Sequence, residues 1–293
     1  METSITGKTR LYALIGCPVS HSISPVLHNS IFAAKKLKSK YITLEVLPGN
    51  LREAVAVLRG NFGGFNVTIP HKQAIMDHLD EVEPQARLCG AVNTVRNDGG
   101  RLVGFNTDGY GFMQAFTDAG VDIAGADVVL LGAGGAARAV LCELLSRRCR
   151  VTIINRSPAR AEKLRQELAG HFPGTVTVGE WPQIGGRHDC LINTTPVGML
   201  PDVASLPLEA RRLRGFDLVY DLVYNPYETA LLAAAKEYGC RVINGFPMLF
   251  YQAVEANRLW TGQPLTAATA SEIFFQAARY LQGLQAIDRE ERG

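Results

Sequence analysis

Asp127-Val-Val-Leu-Leu-Gly-Ala-Gly-Gly-Ala-Ala137 is the stretch on which the fold turns. Asp127 to Leu131 reads as a buried strand, and Ala136 to Ser146 as a helix. The glycines between them make the connection. Gly132, Gly134 and Ala137 fit G-x-G-x-x-[G/A]. The first glycine permits the tight turn, the second lets backbone approach a pyrophosphate, and the small third residue lets helix lie close to strand. Unpaired N–H groups at the helix start attract phosphate charge. The same turn also occurs as a plain strand–helix connection, so the next strand is needed to decide. An NAD site usually has Asp or Glu there, about 20 residues past the glycines, to hold the ribose 2′-hydroxyl. Here the strand Arg150 to Ile154 ends in Asn155-Arg156-Ser157, with Arg160 one turn further on. A carboxylate would repel a 2′-phosphate, whereas a guanidinium binds it through forked, charge-assisted hydrogen bonds. The pattern predicts NADP(H), held by Gly132, Ala133, Gly134, Gly135, Ala136, Asn155, Arg156, Ser157 and Arg160. The plain alternative for the arginines is a solvated surface.

Strand and helix patterns alternate outward from this turn in both directions. Downstream lie the helix Pro158 to Leu168, the strands Cys190 to Asn193 and Leu218 to Val223, the helix Glu228 to Tyr238 and the strand Arg241 to Ile243. Upstream, Leu11 to Ile15, Tyr41 to Leu47 and Gly63 to Ile69 read as strands, the last stopping at Pro70. Ser24 to Leu37 and Leu51 to Leu58 read as the helices between them, with Ser24 as N-cap and Pro25 at the first helical position. A second α/β series opens near Asp108 with the helix Gly109 to Ala119. The expected class is α/β, with two α/β domains. From Met248 onward only helical patterns remain, so this tail is expected to return to the first domain.

Composition excludes several classes. The chain has 293 residues, of which 47% are hydrophobic and 20% charged, so a globular core rather than disorder is expected. Its net charge of +2 argues against a protein built to coat nucleic acid or an anionic membrane. The six cysteines form no C-x-x-C pair and have no histidine cluster beside them, which suits neither a zinc site nor a disulfide scaffold. No metal is expected. The longest apolar-plus-glycine run, Val128 to Ala137, is too short to span a bilayer, and Leu11 to Ile15 is too brief for a signal-peptide core. These readings point to a soluble, cytoplasmic protein.

Polar clusters occupy the expected loops: Gly16-Cys-Pro-Val-Ser-His21-Ser22-Ile-Ser24-Pro25-Val-Leu-His28-Asn29, Asn66-Val-Thr68-Ile-Pro70-His-Lys72, Gly90-Ala-Val-Asn93-Thr94 and Gly104-Phe-Asn106-Thr107-Asp108-Gly109. Further on come Asn193-Thr-Thr-Pro-Val-Gly-Met199, Tyr224-Asn-Pro226 and Asn244-Gly245-Phe-Pro-Met248-Leu-Phe-Tyr-Gln252. They supply hydroxyls, amides, a lysine and an aspartate, an inventory suited to a small polyhydroxylated substrate. In this order, the set resembles the shikimate dehydrogenase family from Leu11 to about Gly262. The resemblance implies a substrate-binding and catalytic domain with a mixed sheet (1–107 plus 244–293), a Rossmann-like NADP-binding domain (108–243), and C-terminal helices returning to the first. It implies NADP-linked, reversible reduction of 3-dehydroshikimate to shikimate, on the route to chorismate and aromatic amino acids, by a monomer or homodimer.

By the same resemblance Lys72 and Asp108 are the catalytic pair, with Lys72 as acid/base and Asp108 orienting the reacting hydroxyl. The residue types agree with the chemistry, since hydride leaves carbon while a proton leaves oxygen. The aspartate's charge opposes deprotonation of the lysine and desolvation favours it. Ser22 and Ser24 match the family's carboxylate-binding serines, beside a helix N-terminus that favours an anion. Thr68, Asn93, Tyr224 and Gln252 match residues that hold the ring hydroxyls or the carboxylate. Asn66, His21 and His28 are expected to support the loops. Thr194, Leu222, Gly245 and Met248 match positions near the nicotinamide half, although Met248 also reads as plain core. Three positions depart from the family. Pro247 replaces a usual glycine, removing an N–H and stiffening the loop. Ser157 replaces the commoner threonine, and Asn257 stands where an aromatic is frequent. Competing readings are a quinate/shikimate enzyme that accepts NAD, a methylenetetrahydrofolate dehydrogenase, and a cofactor sensor without chemistry. Two serines and Arg156 oppose the first, loops of hydroxyls and amides oppose a pterin slot, and retention of Lys72 and Asp108 opposes the third.

Overall fold

The computed structural model describes residues 5–181 and 185–290, with side chains as far as Gly283. The chain packs as two units. One comprises Met1–Thr107 with Gln252–Arg279, the other Asp108–Tyr251 with Tyr280–Gly293, each within its described residues.

The first unit is built on β1 (Arg10–Gly16), β2 (Ser39–Glu45), β3 (Phe62–Val67), β4 (Glu81–Val82), β5 (Thr94–Asp98) and β6 (Arg101–Phe105), in the order β2-β1-β3-β5-β6-β4. β1 runs parallel to β2 and β3, while β5 is antiparallel to β3 and β6, so the sheet is mixed, as expected. The helices α1 (Ser24–Ala34), α2 (Leu51–Asn61) and α3 (Pro84–Cys89) belong to this unit. Ala13, Ile15, Phe65 and Val95 are wholly buried in its core.

Two local expectations are corrected. Ser24 is the first residue of α1 rather than its N-cap, because Ile23 O already accepts from Val26 N (3.0 Å) and Leu27 N (3.2 Å). The end of α1 falls at Ala34, short of Leu37, because Lys36 turns to φ 54° and Leu37 N bonds back to Phe32 O. The short strand β4, the helix α3 and the β5–β6 hairpin are additions to the expected elements, although Asn97-Asp-Gly-Gly100 is a hairpin signal. Gly99 and Gly100 have φ of 64° and 100°, and Asn97 Oδ1 accepts from Gly100 N at 2.7 Å to close the turn.

The second unit contains α4 (Asp108–Asp118), β7 (Asp127–Leu131), α5 (Gly135–Ser146), β8 (Arg150–Ile154), α6 (Pro158–Leu168), β9 (Thr175–Val178), β10 (His188–Asn193), β11 (Phe216–Asp221), α7 (Ala230–Glu237) and β12 (Arg241–Ile243). Its strands are all parallel in the order β12-β11-β10-β7-β8-β9. The chain starts mid-sheet at β7, winds out to β9, then returns to build the other half from β10. This is the doubly wound Rossmann order, and its topological switch point lies between β7 and β10. Strands covered on both faces read as unbroken apolar runs, and Val128, Val129, Leu191 and Ile192 are indeed fully buried.

The chain ends in α8 (Phe246–Thr261) and α9 (Ala267–Glu290). Trp260 anchors α8 to the first sheet, donating from Nε1 to Val95 O at 2.9 Å. It lies where a side chain on Gly64 would stand, so that glycine makes room for the indole. Among the described residues no helix is long and apolar enough to cross a membrane.

Candidate active site

At the switch point of the second unit, Gly132 follows β7 with φ 107°, a conformation costly for any residue with a Cβ. A Cβ there would also stand 2.5 Å from Thr194 Oγ1. Thr194 itself is pinned across the switch point, its N–H and hydroxyl both donating to Leu131 O at 2.9 and 2.6 Å. Gly134 is the residue before α5, and a Cβ on it would meet nothing within 4 Å. The space beside Gly134, at the start of α5, is therefore open where backbone must approach a ligand. Ala137 is fully buried, as close strand–helix packing requires. These features form a cradle fitted to a pyrophosphate.

The end of β8 supplies the second feature. Asn155 Nδ2 donates to Ser157 O at 2.8 Å and turns the chain into α6. Arg156 and Arg160 are exposed, and neither guanidinium joins an ion pair among the described residues. Ser157 is half-buried between them.

At the far side of the switch point, Gly245 lies against the backbone of Leu222 so closely that a Cβ would overlap Leu222 O. Asn244 Oδ1 accepts from Phe246 N at 3.2 Å and starts α8, whose first turn holds Pro247 and the buried Met248. A helix leaves its first N–H groups unpaired, so Pro247 forfeits no helical bond there. The departure from glycine is thus absorbed by the helix start.

Asp221, Asn193, Thr195 and Thr229, none of them among the expected site residues, organise this edge. Asp221, at the end of β11, is wholly buried and accepts from Asn193 Nδ2 (2.9 Å), Val223 N (3.1 Å) and Thr229 Oγ1 (2.6 Å). Asn193 Oδ1 in turn accepts from the N–H and hydroxyl of Thr195. Thr229 also caps α7 by accepting from Leu232 N at 3.3 Å. The sequence signal for this group is an acid closing the apolar run Leu218-Val-Tyr-Asp221. Tyr224 follows in the same loop, its phenol pushed above the ordinary tyrosine range by burial.

The first unit carries the other candidates. Ser22 Oγ accepts from Ser24 N at 3.2 Å, and the two hydroxyls stand 3.0 Å apart beside the start of α1. Thr68 follows β3, with its N–H on Ile15 O (2.9 Å) and its methyl where a side chain on Gly16 would lie. Lys72 is half-buried, and its carbonyl accepts from Val92 N at 2.8 Å. That bond ties it to the next candidate, the buried Asn93. Asn93 Oδ1 accepts from Thr107 N (2.7 Å) and its amide donates to Thr107 Oγ1 (3.0 Å). Gln252 is buried in α8 and packs with this unit.

Asn66 is committed to support. It accepts from Tyr41 Oη (2.8 Å) and donates to Asn93 O (3.1 Å) and Thr94 Oγ1 (2.9 Å). His28 lies flat on Tyr41, with ring centroids 4.2 Å apart, and is fully buried. Neither of its nitrogens makes a hydrogen bond of normal geometry. Burial pushes the imidazole down to about 3, despite a slight opposing pull from Asn66, so it stays neutral. Asn257, the departure in α8, is buried and accepts from Lys35 Nζ at 2.7 Å, which joins the ends of α1 and α8. Of the candidates, Ser22, Ser24, Thr68, Lys72, Asn93 and Gln252 pack with the first unit. Asp108, which is buried and opens α4, packs with the second, as do Tyr224 and every cofactor candidate.

Comparison with known proteins adds to this geometry. Residues 14–95 match the family model described as shikimate dehydrogenase substrate binding domain, and residues 114–196 match that of shikimate / quinate 5-dehydrogenase. A shikimate dehydrogenase (NADP(+)) of Moorella thermoacetica is 44% identical over 292 residues, covering 97% of this chain and 99% of its own. The crystal structure of shikimate 5-dehydrogenase from Thermus thermophilus in complex with NADP(H) and shikimate superposes with TM-score 0.80. It is 36% identical and covers 92% of this chain and 99% of its own. That of Listeria monocytogenes, in complex with shikimate and NAD, superposes with TM-score 0.82 at 35% identity, covering 92% and 97%.

Proposed function

The chain belongs to the shikimate dehydrogenase family, and from that premise we propose that it catalyses the reversible, NADP-linked reduction of 3-dehydroshikimate to shikimate, serving chorismate and aromatic amino-acid biosynthesis. The observation that carries the reading is the switch-point cradle of Gly132, Thr194 and Gly134, followed at the end of β8 by Arg156 and Arg160 instead of a carboxylate. The residues present fit the dinucleotide. Open space stands over the start of α5, and two guanidiniums with no ion pair among the described residues flank Ser157.

Bound NADPH would supply the hydride. The chain supplies the rest. Gly132, Ala133, Gly134, Gly135 and Ala136 hold the pyrophosphate, while Asn155, Arg156, Ser157 and Arg160 hold the 2′-phosphate end. Thr194, Leu222, Gly245 and Met248 flank the nicotinamide half. Ser22 and Ser24 bind the substrate carboxylate with paired hydroxyls at a helix start, where anions are favoured. Thr68, Asn93, Tyr224 and Gln252 hold ring hydroxyls and orient the ring. Lys72 gives a proton to the substrate oxygen during reduction and takes it back in reverse, and Asp108 orients that hydroxyl. In this assignment 1–107 with 244–293 serve chiefly substrate and catalysis and 108–243 chiefly the cofactor, except that Asp108 and Tyr224 act on the substrate while Gly245 and Met248 act on the cofactor. The free thiols of the cysteines suit the reducing cytoplasm in which such an enzyme would work.

The test is near-UV absorbance of reduced nicotinamide, with shikimate or quinate offered alongside NADP⁺ or NAD⁺. Strong turnover with shikimate and NADP⁺ alone is the expected result. Comparable turnover with quinate or NAD⁺ would overturn the specificity assigned to the serines and Arg156. No turnover in any pair would overturn the function.

A further inference from the structure

The Asp221 carboxylate is held by neutral donors only. Its partners are the Asn193 amide, the Val223 N–H and the Thr229 hydroxyl. Among the described residues no lysine, arginine or histidine pairs with it. Burial pushes its carboxyl up to about 6, against the pull of the three donors, so it is ionised at neutral pH. Removing such a charge from water without a counter-ion costs stability. Buried, it is a fixed negative charge that salt screens weakly.

Its position gives the charge a use. Asp221 closes β11 and Asn193 closes the neighbouring β10, on the edge of the sheet where the doubly wound fold binds its ligand. Thr194 follows Asn193, and Leu222, pressed against Gly245, follows Asp221. We propose that Asp221 sets the redox preference of the cofactor site, its buried charge favouring the cationic oxidised nicotinamide over the neutral reduced ring. The proposal rests on the reading above that Thr194, Leu222 and Gly245 flank the nicotinamide half. The phosphates and adenosine are common to both cofactor forms, so the ratio of the two affinities isolates the ring's charge.

Asp221→Asn removes the charge while keeping the shape, and its amide can still meet Asn193 and Thr229. Affinities for NADP⁺ and NADPH would be measured on the full chain at pH 8, by calorimetry and by cofactor fluorescence. The variant should bind NADP⁺ at least about threefold more weakly, with NADPH affinity unchanged or tighter, as expected for loss of a nearby buried charge. Thr229→Val, which removes a hydrogen bond and leaves the charge, should leave the ratio of the two affinities unaltered. Equal loss of both forms in Asp221→Asn, or no change in either, would overturn the proposal and leave Asp221 as a brace. Asp221→Ser provides the same comparison if the asparagine variant does not fold. Failure of the unaltered chain to bind either form would instead overturn the cofactor reading itself.

Discussion

Lys72 is placed by its backbone: its carbonyl is held by Val92 N, one residue before the buried Asn93. A side-chain change there leaves this backbone bond in place. Lys72→Ala is expected to cut turnover by about 10²–10⁴-fold, the usual weight of a general acid–base group, in protein that still folds. Near-normal turnover would remove the lysine from the mechanism. Arg156 differs, because it is exposed and holds no protein partner among the described residues. Arg156→Ala should therefore raise KM for NADP⁺ by about tenfold or more, the scale of a lost hydrogen bond to a charged group, and barely alter KM for NAD⁺. An equal change for both cofactors would show that the arginine does not read the 2′-phosphate. Both residues are legible in the sequence, because turn chemistry and strand ends are local signals. The buried Asp221 reads there only as part of a strand.

Within the β7–α5 turn, two glycines do different work. Gly132 has φ 107° and Thr194 Oγ1 in the path of any Cβ. Gly132→Ala should cost about 1–3 kcal/mol through backbone strain alone, read as a lower melting temperature without cofactor. Gly134 has φ −94° and open space at its Cβ. Gly134→Ala should melt normally without cofactor and bind NADP⁺ several-fold more weakly, because its methyl enters space the pyrophosphate needs. The reverse pattern would mean that the open space over α5 is not the phosphate cradle. The glycine motif is legible from spacing, but the division of labour rests on which atoms face each Cβ.

Across the whole molecule, the two units carry buried groups of opposite pH response. His28, in the first, titrates near 3 when folded against about 6.5 for a free histidine. Between those values the unfolded chain binds a proton that the folded unit refuses. Stability from keeping His28 neutral is complete above about pH 6.5 and is lost as pH falls toward 3. Asp221, in the second, is raised to about 6 from 3.8, so over that range the folded unit binds a proton that the unfolded chain lacks. Acidification there favours the second unit. Moving from pH 7 to 5 should thus cost the first unit about 2 kcal/mol through His28 while Asp221 opposes the loss in the second. The chain's two tryptophans report the units separately, Trp260 the first and Trp181 the second. In single-tryptophan variants the Trp260 transition should fall further in temperature than the Trp181 transition at pH 5, and His28→Phe should narrow the gap. A common shift in both signals, unaltered by His28→Phe, would contradict this.

The main alternation of strands and helices, the Rossmann-like cofactor domain and the choice of NADP over NAD followed from residues close together in the chain, whereas the short strands β4 and β9 and the helix α3 did not. Apolar periods, glycine turns and the residues that end a strand all act over a few positions, so they are readable without a structure. The β5–β6 hairpin carried the same kind of signal in Asn97-Asp-Gly-Gly100. Tertiary structure alone decided which polar residues lose water and which neighbours replace it. Asp221 meets Asn193 because β10 and β11 lie side by side, and Trp260 reaches Val95 because Gly64 leaves room. His28 is neutral because Tyr41 and Trp260 close over it. These contacts join residues far apart in sequence, and their energies depend on burial, which is a property of the packed chain.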